Sequence, residues 1–235
     1  MLTFHVVTLF PEALGSYLQE SIIGRAIKEK KIAVKFYNPR DFVAPKLSRK
    51  LLAGKKDWFY RQTDDRPYGG GPGMVLMAEP ILKAIGSIKK KLKADSRKLK
   101  AIIFSPAGKQ FTNQVAATWA KRLTDVVLIC GRYEGVDARV KKILRAEEIS
   151  VGPYVLTGGE LPALIAMDTT ARQIEGVLGT FESVEERRIS TSEVYTRPEV
   201  LVYNDHRYRV PKVLLSGHRA KIEEWKAKKI NKIIK

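Results

Sequence analysis

Short apolar runs alternate with amphipathic stretches along most of the chain. The runs "LTFHVVTLF" and "IAVKFY" predict two strands flanking a helix near residues 16–30, and "AIIFSP" and "VVLICG" flank another helix at about 112–122. A third strand is predicted in "EEISVGPYVL", followed by a glycine turn and a buried helix in "LPALIAMDTTARQI". Strands that alternate with helices predict an α/β domain in which a parallel sheet carries helices on both faces.

The pattern ends near residue 179 and predicts three parts. Residues 180–210 are polar and lack periodicity, which predicts a linker. From Lys212 onward, eight basic residues stand against two acidic ones, and apolar residues recur at helical spacing. The chain is therefore predicted to contain a domain at 1–179, a linker at 180–210 and a short basic helical appendage at 211–235.

The charge of the chain indicates a polyanionic partner. Lys and Arg number 43 against 25 Asp and Glu, a formal charge of +18, and such an excess most often serves nucleic acid and less often an acidic membrane surface. A merely basic soluble surface is the alternative.

The single cysteine, Cys130, excludes an internal disulfide and a cysteine-based zinc site, so no metal is expected. The N-terminus lacks the features of a signal peptide and no apolar run is long enough to span a membrane, which predicts a cytoplasmic protein.

Candidate chemistry lies where three predicted strands end, in "SPAG", "CGRYEG" and "GPYVLTGGELP". Ligands of open α/β sheets bind outside the carboxyl ends of the strands, and glycines there let main-chain groups approach a ligand such as adenine closely. Taken singly, each segment is more typical of an ordinary tight turn than of a ligand site. The glycine-rich "DRPYGGGPGM" lacks the partner signals of a phosphate loop, and the chain has no dinucleotide fingerprint, nucleophile elbow or H-E-x-x-H motif. The three histidines are scattered and are predicted to be structural or on the surface.

Several of these segments together resemble one family. "DDRPYGGGPGM", "CGRYEG", "YVLTGGELPA", "GVLG", "YTRPEV" and "VPKVLLSGHRAKIEEW" are similar to segments of the bacterial tRNA (guanine-37-N1)-methyltransferases, members of the knotted SPOUT class. The resemblance implies a homodimer whose catalytic domain, residues 1–179, carries a deep C-terminal trefoil knot. It implies that S-adenosylmethionine binds in the knot and that the methyl acceptor is N1 of guanine 37 in tRNA.

The resemblance also assigns residues to the cofactor and the target base. Cofactor contacts are implied for Ser105, Pro106, Gly131, Val151, Gly152, Pro153, Tyr154, Val155, Leu156, Gly158, Gly159 and Pro162. Substrate contacts are implied for Asp64, Arg66, Tyr68, Gly69, Gly70, Gly71 and Glu134. A carboxylate at Asp64 suits the N1–H or N2–H of guanine, and the glycines suit a loop that receives a base turned out of its stack.

Two catalytic roles follow from the resemblance. Guanine N1 carries a proton, so a general base is needed, and a cation near O6 would stabilise the charge that develops. Arg172 matches the family's catalytic arginine. The family's base is an aspartate after "GVLG", and the sequence here departs from it: no aspartate occurs there, and Glu186 is the expected substitute, with Glu185 close behind.

That departure leaves two alternatives to the methyltransferase. One is a knotted RNA-binding protein with weak or no turnover, and the other is a SPOUT methyltransferase that acts on another RNA site. The resemblance further implies that the C-terminal domain is shorter than in the family and that the basic segment before Asp64 is longer, both in keeping with phosphate contacts.

Overall fold

The computed structural model describes residues 1–43, 61–92, 99–179 and 193–229. It divides the chain into two compact units, Met1–Val177 and Leu178–Lys235. The first unit contains β1 (Leu2–Val7), α1 (Glu12–Gln19), α2 (Ser21–Lys28), β2 (Ile32–Tyr37), a 3₁₀ turn (Pro39–Phe42), β3 (Asp64–Asp65), β4 (Val75–Leu76), α3 (Ala78–Lys91), β5 (Leu99–Gln110), α4 (Asn113–Arg122), β6 (Asp125–Ile129), α5 (Ala138–Leu144), β7 (Glu147–Ser150) and α6 (Glu160–Ala171). The second contains β8 (Val200–Tyr203), β9 (His206–Arg209), α7 (Lys212–Leu215) and α8 (Arg219–Lys228).

A parallel five-stranded sheet in the order β2-β1-β6-β5-β7 forms the centre of the first unit. Side chains alternate between its faces, so Phe4 and Val6 lie in one apolar cluster and Val7 lies in the other. Helices α1, α2, α4 and α6 pack in the first cluster, and α3 and α5 pack in the second. This arrangement confirms the predicted α/β class with a parallel sheet between helices.

Two predicted elements differ from the structure. The single helix expected near residues 16–30 is two helices, because Glu20 is extended (φ −106°, ψ 159°) and Ser21 has a positive φ of 51°. The strand expected over "EEISVGPYVL" ends at Ser150, whose hydroxyl donates to the carbonyl of Gly152 (2.9 Å) and accepts from its N–H (3.2 Å). Both hydrogen bonds turn the chain out of the sheet.

Strand β5 is longer than predicted and carries a bulge. Phe104 and Lys109 both pair with Ile149, so the residues between them leave the ladder. At Gly108 a Cβ would lie 2.6 Å from the main-chain nitrogen of Ile149, which requires glycine where the strand returns to the sheet. A bulge redirects side chains and main chain next to a site, and here it projects Ser105 and Pro106 towards the end of β7.

The predicted linker is described only over 193–210, where it contains the antiparallel hairpin of β8 and β9. Within the predicted appendage, α7 and α8 are helical, and Ser216 follows α7. In the described ranges, no helix has both the length and the apolar character that crossing a membrane requires.

Candidate cofactor and substrate site

A cleft of about 380 Å³ lies beside the bulge of β5 and the carboxyl ends of β6 and β7. Three segments line it: the start of the β5 bulge, the turn after β6, and the chain from the end of β7 to the first turn of α6. It brings together every predicted cofactor residue except Pro153: Ser105, Pro106, Gly131, Val151, Gly152, Tyr154, Val155, Leu156, Gly158, Gly159 and Pro162. The three strand ends that the sequence analysis marked by their glycine-containing turns thus line one cavity.

Close main-chain contact joins the turn after β6 to the start of α6. The N–H of Gly159 donates to the carbonyl of Gly131 (2.9 Å), and a Cβ at Gly159 would lie 2.5 Å from Cα of Cys130. Only glycine fits at that approach. Burial raises the pKa of the Cys130 thiol well above its ordinary value, with the Glu160 carboxylate adding to the effect, so Cys130 is an uncharged core side chain and not a nucleophile.

Arg132 lines the cleft and pairs with Glu160, a buried carboxylate at the start of α6. Nη2 of Arg132 lies 3.0 Å from Oε2 of Glu160, while the hydroxyl of Thr8 donates to Oε1 (2.7 Å). Among the described residues, Oε2 has no aligned donor, so the Arg132 contact is an ion pair without hydrogen-bond geometry. The Arg132 guanidinium also lies over the ring of Phe10, 4.6 Å from its centroid. The sequence did not mark Arg132 as a site residue because these contacts join distant segments.

The turn after β7 has an aromatic side chain folded back on it. Tyr154 OH donates to the carbonyl of Val151 (3.1 Å), and a Cβ at Gly152 would overlap the Tyr154 ring. Val155 is 84% exposed and Leu156 is about one-third exposed, although both line the cleft. The mouth of the cleft therefore presents apolar side chains to solvent.

The glycine-rich segment forms the turn of the β3–β4 hairpin. Four glycines there, Gly69, Gly70, Gly71 and Gly73, have positive φ values of 87°, 78°, 109° and 84°. L side chains rarely adopt that region, so the conformation requires glycine. A Cβ on any of the first three would meet no heavy atom within 4 Å, so they are open to solvent rather than packed.

The β3–β4 hairpin lies against the turn that lines the cleft. The N–H of Glu134 donates to the Met74 carbonyl (3.0 Å), and the N–H of Leu76 donates to the Gly135 carbonyl (2.9 Å). A Cβ at Gly73 would lie 2.5 Å from Oε1 of Glu134, which itself lines the cleft. Of the predicted substrate residues, Glu134 thus lies at the cleft and connects it to the glycine hairpin.

The other predicted substrate residues lie outside the cleft lining. Asp64 is partly buried and pairs with Leu76 across the hairpin, while Arg66 is exposed. Tyr68 is fully exposed at the turn. The structure places them on one element beside Glu134, where a large ligand can reach them.

The predicted catalytic arginine stands apart from the cleft. Arg172 caps the C-terminus of α6, whereas the N-terminus of this helix lines the cleft. The 12 residues of α6 correspond to about 18 Å. Arg172 therefore lies roughly one helix length from the cleft of its own chain. Glu186, like Glu185, lies outside the described residues.

This arrangement defines an α/β protein with a glycine-lined cleft at the carboxyl ends of a parallel sheet, where such proteins bind small ligands. Within that class, the chain belongs to the tRNA (guanine-1)-methyltransferase family: the family described as "tRNA (Guanine-1)-methyltransferase TrmD" matches residues 2–234. This confirms the family predicted from the sequence.

Individual relatives agree with the family match. The chain is 44% identical over 232 residues to the tRNA (guanine-N(1)-)-methyltransferase of Pseudoalteromonas atlantica, covering 96% of this chain and 78% of the relative. It is 39% identical to the enzyme of that name from Clostridioides difficile, covering 99% and 94%. The crystal structure of tRNA (m1G37) methyltransferase from Aquifex aeolicus aligns with a TM-score of 0.73 at 38% identity, covering 96% of this chain and 88% of that one.

Proposed function

We propose that this protein transfers a methyl group from S-adenosylmethionine to N1 of guanine 37 in tRNA. The observation that carries the proposal is the convergence of eleven residues, assigned to the cofactor by family resemblance, on one cleft. Membership of the tRNA (guanine-1)-methyltransferase family supports the reaction, and the charge of +18 suits a tRNA substrate. We place the protein in the cytoplasm, where its free cysteine would stay reduced.

The cleft fits an adenosine-containing methyl donor. Its volume of about 380 Å³ falls within the range of small-ligand sites. Gly131, Gly152, Gly158 and Gly159 line it without side chains, which lets the main chain of the cleft approach the adenine closely. When bound, S-adenosylmethionine supplies a methyl group on a positively charged sulfur. The residues of the chain must then hold that group, exclude water and activate the acceptor nitrogen.

We propose that this cofactor site is the trefoil knot implied by the resemblance. The chain leaving β7 returns to the turn after β6, where Arg132 and Gly158 form an antiparallel bridge. Gly159 donates to Gly131 at the same place. These contacts support a knotted arrangement of residues in the domain 1–179, with residues 180–210 linking it to the basic segment 211–235.

Proton removal from guanine N1 is the chemical task left to the side chains. We assign it to Glu186, since a carboxylate within hydrogen-bond reach accepts the proton as the N1–CH₃ bond forms and the S–CH₃ bond breaks, which leaves S-adenosylhomocysteine as the neutral product. Arg172 donates to guanine O6 and stabilises the negative charge that develops there. Asp64, on the glycine hairpin beside Glu134, accepts from the exocyclic N2–H and orients the base.

The position of Arg172 favours a site shared by two subunits. An arginine roughly one helix length from its own cleft can serve the chemistry only in the cleft of a second copy. Helix α6 also has an apolar exposed side, with Leu161 57% and Ile165 40% exposed. A helix that is apolar all round is normally buried. We therefore propose a symmetric homodimer that covers this side of α6.

One observation favours a second candidate, a knotted RNA-binding protein without turnover. No aspartate occurs between Asp168 and Asp205, where the family usually carries its base. The two candidates differ in methyl transfer alone. Incubation with radiolabelled S-adenosylmethionine and tRNA transcripts carrying G or A at position 37 separates them, because only the enzyme labels the G37 transcript.

A further inference from the structure

The β8–β9 hairpin has two chemically different faces. Paired residues of an antiparallel ladder point to the same side, so Leu201, Tyr203, His206 and Tyr208 share one face. Arg207 and Arg209 lie on the other, opposite Val202 and Val200. The hairpin thus separates an aromatic surface from a basic one.

Both faces are open to solvent. Tyr203 is 64% and Tyr208 is 57% exposed, and Arg207 and Arg209 are also exposed. In the described part of the chain, neither arginine side chain has an ion-pair or hydrogen-bond partner. A lone two-stranded hairpin is marginally stable in water, and exposed aromatic side chains on it favour a partner that covers them.

The turn of the hairpin fixes how these side chains are presented. Asn204 and Asp205 have φ values of 48° and 59°, the combination that a two-residue type I′ turn requires. The Nδ1–H of His206 donates a hydrogen bond to the carbonyl of Asn204 (2.7 Å). The strands are therefore held in a single register, with both tyrosine rings on one side.

We propose that this hairpin is an RNA-binding element, in which unpaired bases of the tRNA stack on Tyr203 and Tyr208 while Arg207 and Arg209 contact phosphates. The proposal rests on the proposed tRNA substrate. Aromatic side chains that stack with bases, together with basic side chains that contact phosphates, are the combination that proteins use to hold single-stranded nucleic acid. Charge complementarity favours RNA, because the exposed arginines of the hairpin and the net charge of +18 attract a polyanion.

Four double variants, two of them controls, test the proposal by tRNA affinity at several salt concentrations. Y203A/Y208A removes both stacking faces and should weaken binding about 30-fold or more, the equivalent of at least about 1 kcal/mol for each of the two lost stacks. Y203F/Y208F keeps the rings and should bind as the wild type does. R207Q/R209Q should make the negative slope of log K against log salt shallower by about 2, one unit for each lost phosphate contact. K121Q/R122Q, on exposed residues of α4, is the charge-matched control and should change the slope less.

Wild-type affinity and salt slope in Y203A/Y208A and R207Q/R209Q would overturn the proposal. Equal losses in Y203A/Y208A and Y203F/Y208F would also overturn it, because rings would then not be the binding feature. An altered mass by light scattering with unchanged tRNA affinity would assign the hairpin to a protein partner instead. Methyl transfer by the wild type is measured separately. A protein that binds tRNA without methylating it would contradict the proposed function, and the affinity measurements would still test the hairpin.

Discussion

Oε2 of Glu160 lies 3.0 Å from Nη2 of Arg132, and this ion pair connects the first residue of α6 to the turn after β6. The hydroxyl of Thr8, just after β1, holds the other carboxylate oxygen at 2.7 Å. Glu160 is 5% exposed. One buried carboxylate therefore holds together three segments at the carboxyl end of the sheet, two of which line the cleft.

Removing that carboxylate should loosen the cleft. Glu160→Ala leaves Arg132 and the Thr8 hydroxyl without their partner, which should lower the free energy of unfolding by about 1–3 kcal/mol in urea titrations. Affinity for S-adenosylhomocysteine should fall as well. The control is Glu79→Ala, which breaks the exposed pair with Lys83 and should leave the urea midpoint unchanged. Equal midpoints for Glu160→Ala and the wild type would show that the ion pair does not organise the site.

A mixing experiment tests whether Arg172 serves the cleft of a second subunit. Gly131→Leu should fill the cleft and abolish cofactor binding, while Arg172→Ala should retain binding and lose about 10²–10³-fold in rate. A Cβ at Gly131 meets nothing closer than 3.5 Å, so the leucine variant should fold. Co-expressed at equal amounts, the two inactive variants should recover about one quarter of wild-type activity, because half of the dimers are mixed and each has one intact site. No recovery in purified mixed dimers would place Arg172 and the cleft in one subunit.

The sequence predicted most of the sheet and the positions that line the cleft. Strands β1 and β6 are short apolar runs, and parallel strands buried on both faces have that pattern. Strand β2, at the edge of the sheet, is also mostly apolar but leaves Lys35 and Phe36 exposed. The break at Glu20 was not predictable, because the flanking residues are compatible with helix. It brings the Gln19 carbonyl against Gly24, where a Cβ would overlap it, so glycine is required at that position. The Arg132–Glu160 pair was missed because nothing local to either residue marks a contact between distant segments.

The β8–β9 hairpin has only a weak strand pattern in the sequence. "VLVY" and "HRYR" flank the Asn204–Asp205 turn, yet the arginines and histidine obscure the alternation of apolar and polar positions. Composition therefore favoured a linker over a hairpin at this point of the chain.

Stability should fall at mildly acidic pH because of His5. Its side chain is buried, with Nε2 2.9 Å from Oδ1 of Asp125 and Nδ1 3.3 Å from the hydroxyl of Tyr37. Burial lowers the pKa of His5 from 6.5 despite the opposing effect of Asp125. His5 therefore binds a proton more readily in the unfolded chain than in the folded one. The contribution of its neutral, buried side chain to the free energy of unfolding is complete above about pH 6.5 and is lost as the pH falls below that value.

Urea titrations between pH 7.5 and 5.5 measure this contribution. His5→Asn should be less stable than the wild type at pH 7.5 but should lose less stability on acidification. The matched control is His218→Asn, at an exposed position of the second unit, which should keep the wild-type pH dependence. Parallel pH profiles for wild type and His5→Asn would contradict the assignment.

The general base is tested by charge removal at two neighbouring glutamates. Glu186→Gln should keep cofactor and tRNA affinity but lower the single-turnover rate by about 10²–10⁴-fold, the typical contribution of a general base. Glu185→Gln is the matched control and should have a much smaller effect. If both variants react at the wild-type rate, the base lies elsewhere, and Asp64→Asn becomes the variant to measure because Asp64 lies on the hairpin that contacts the Glu134 turn.

The most direct test of the proposed function is to identify the nucleoside that the wild-type protein makes. A tRNA transcript with G at position 37 is incubated with labelled S-adenosylmethionine, digested to nucleosides and separated. We predict that the label appears as 1-methylguanosine and that a matched transcript with A at position 37 remains unlabelled. A wild-type protein that binds both partners but yields no 1-methylguanosine, or that labels the A37 transcript equally, would contradict the account.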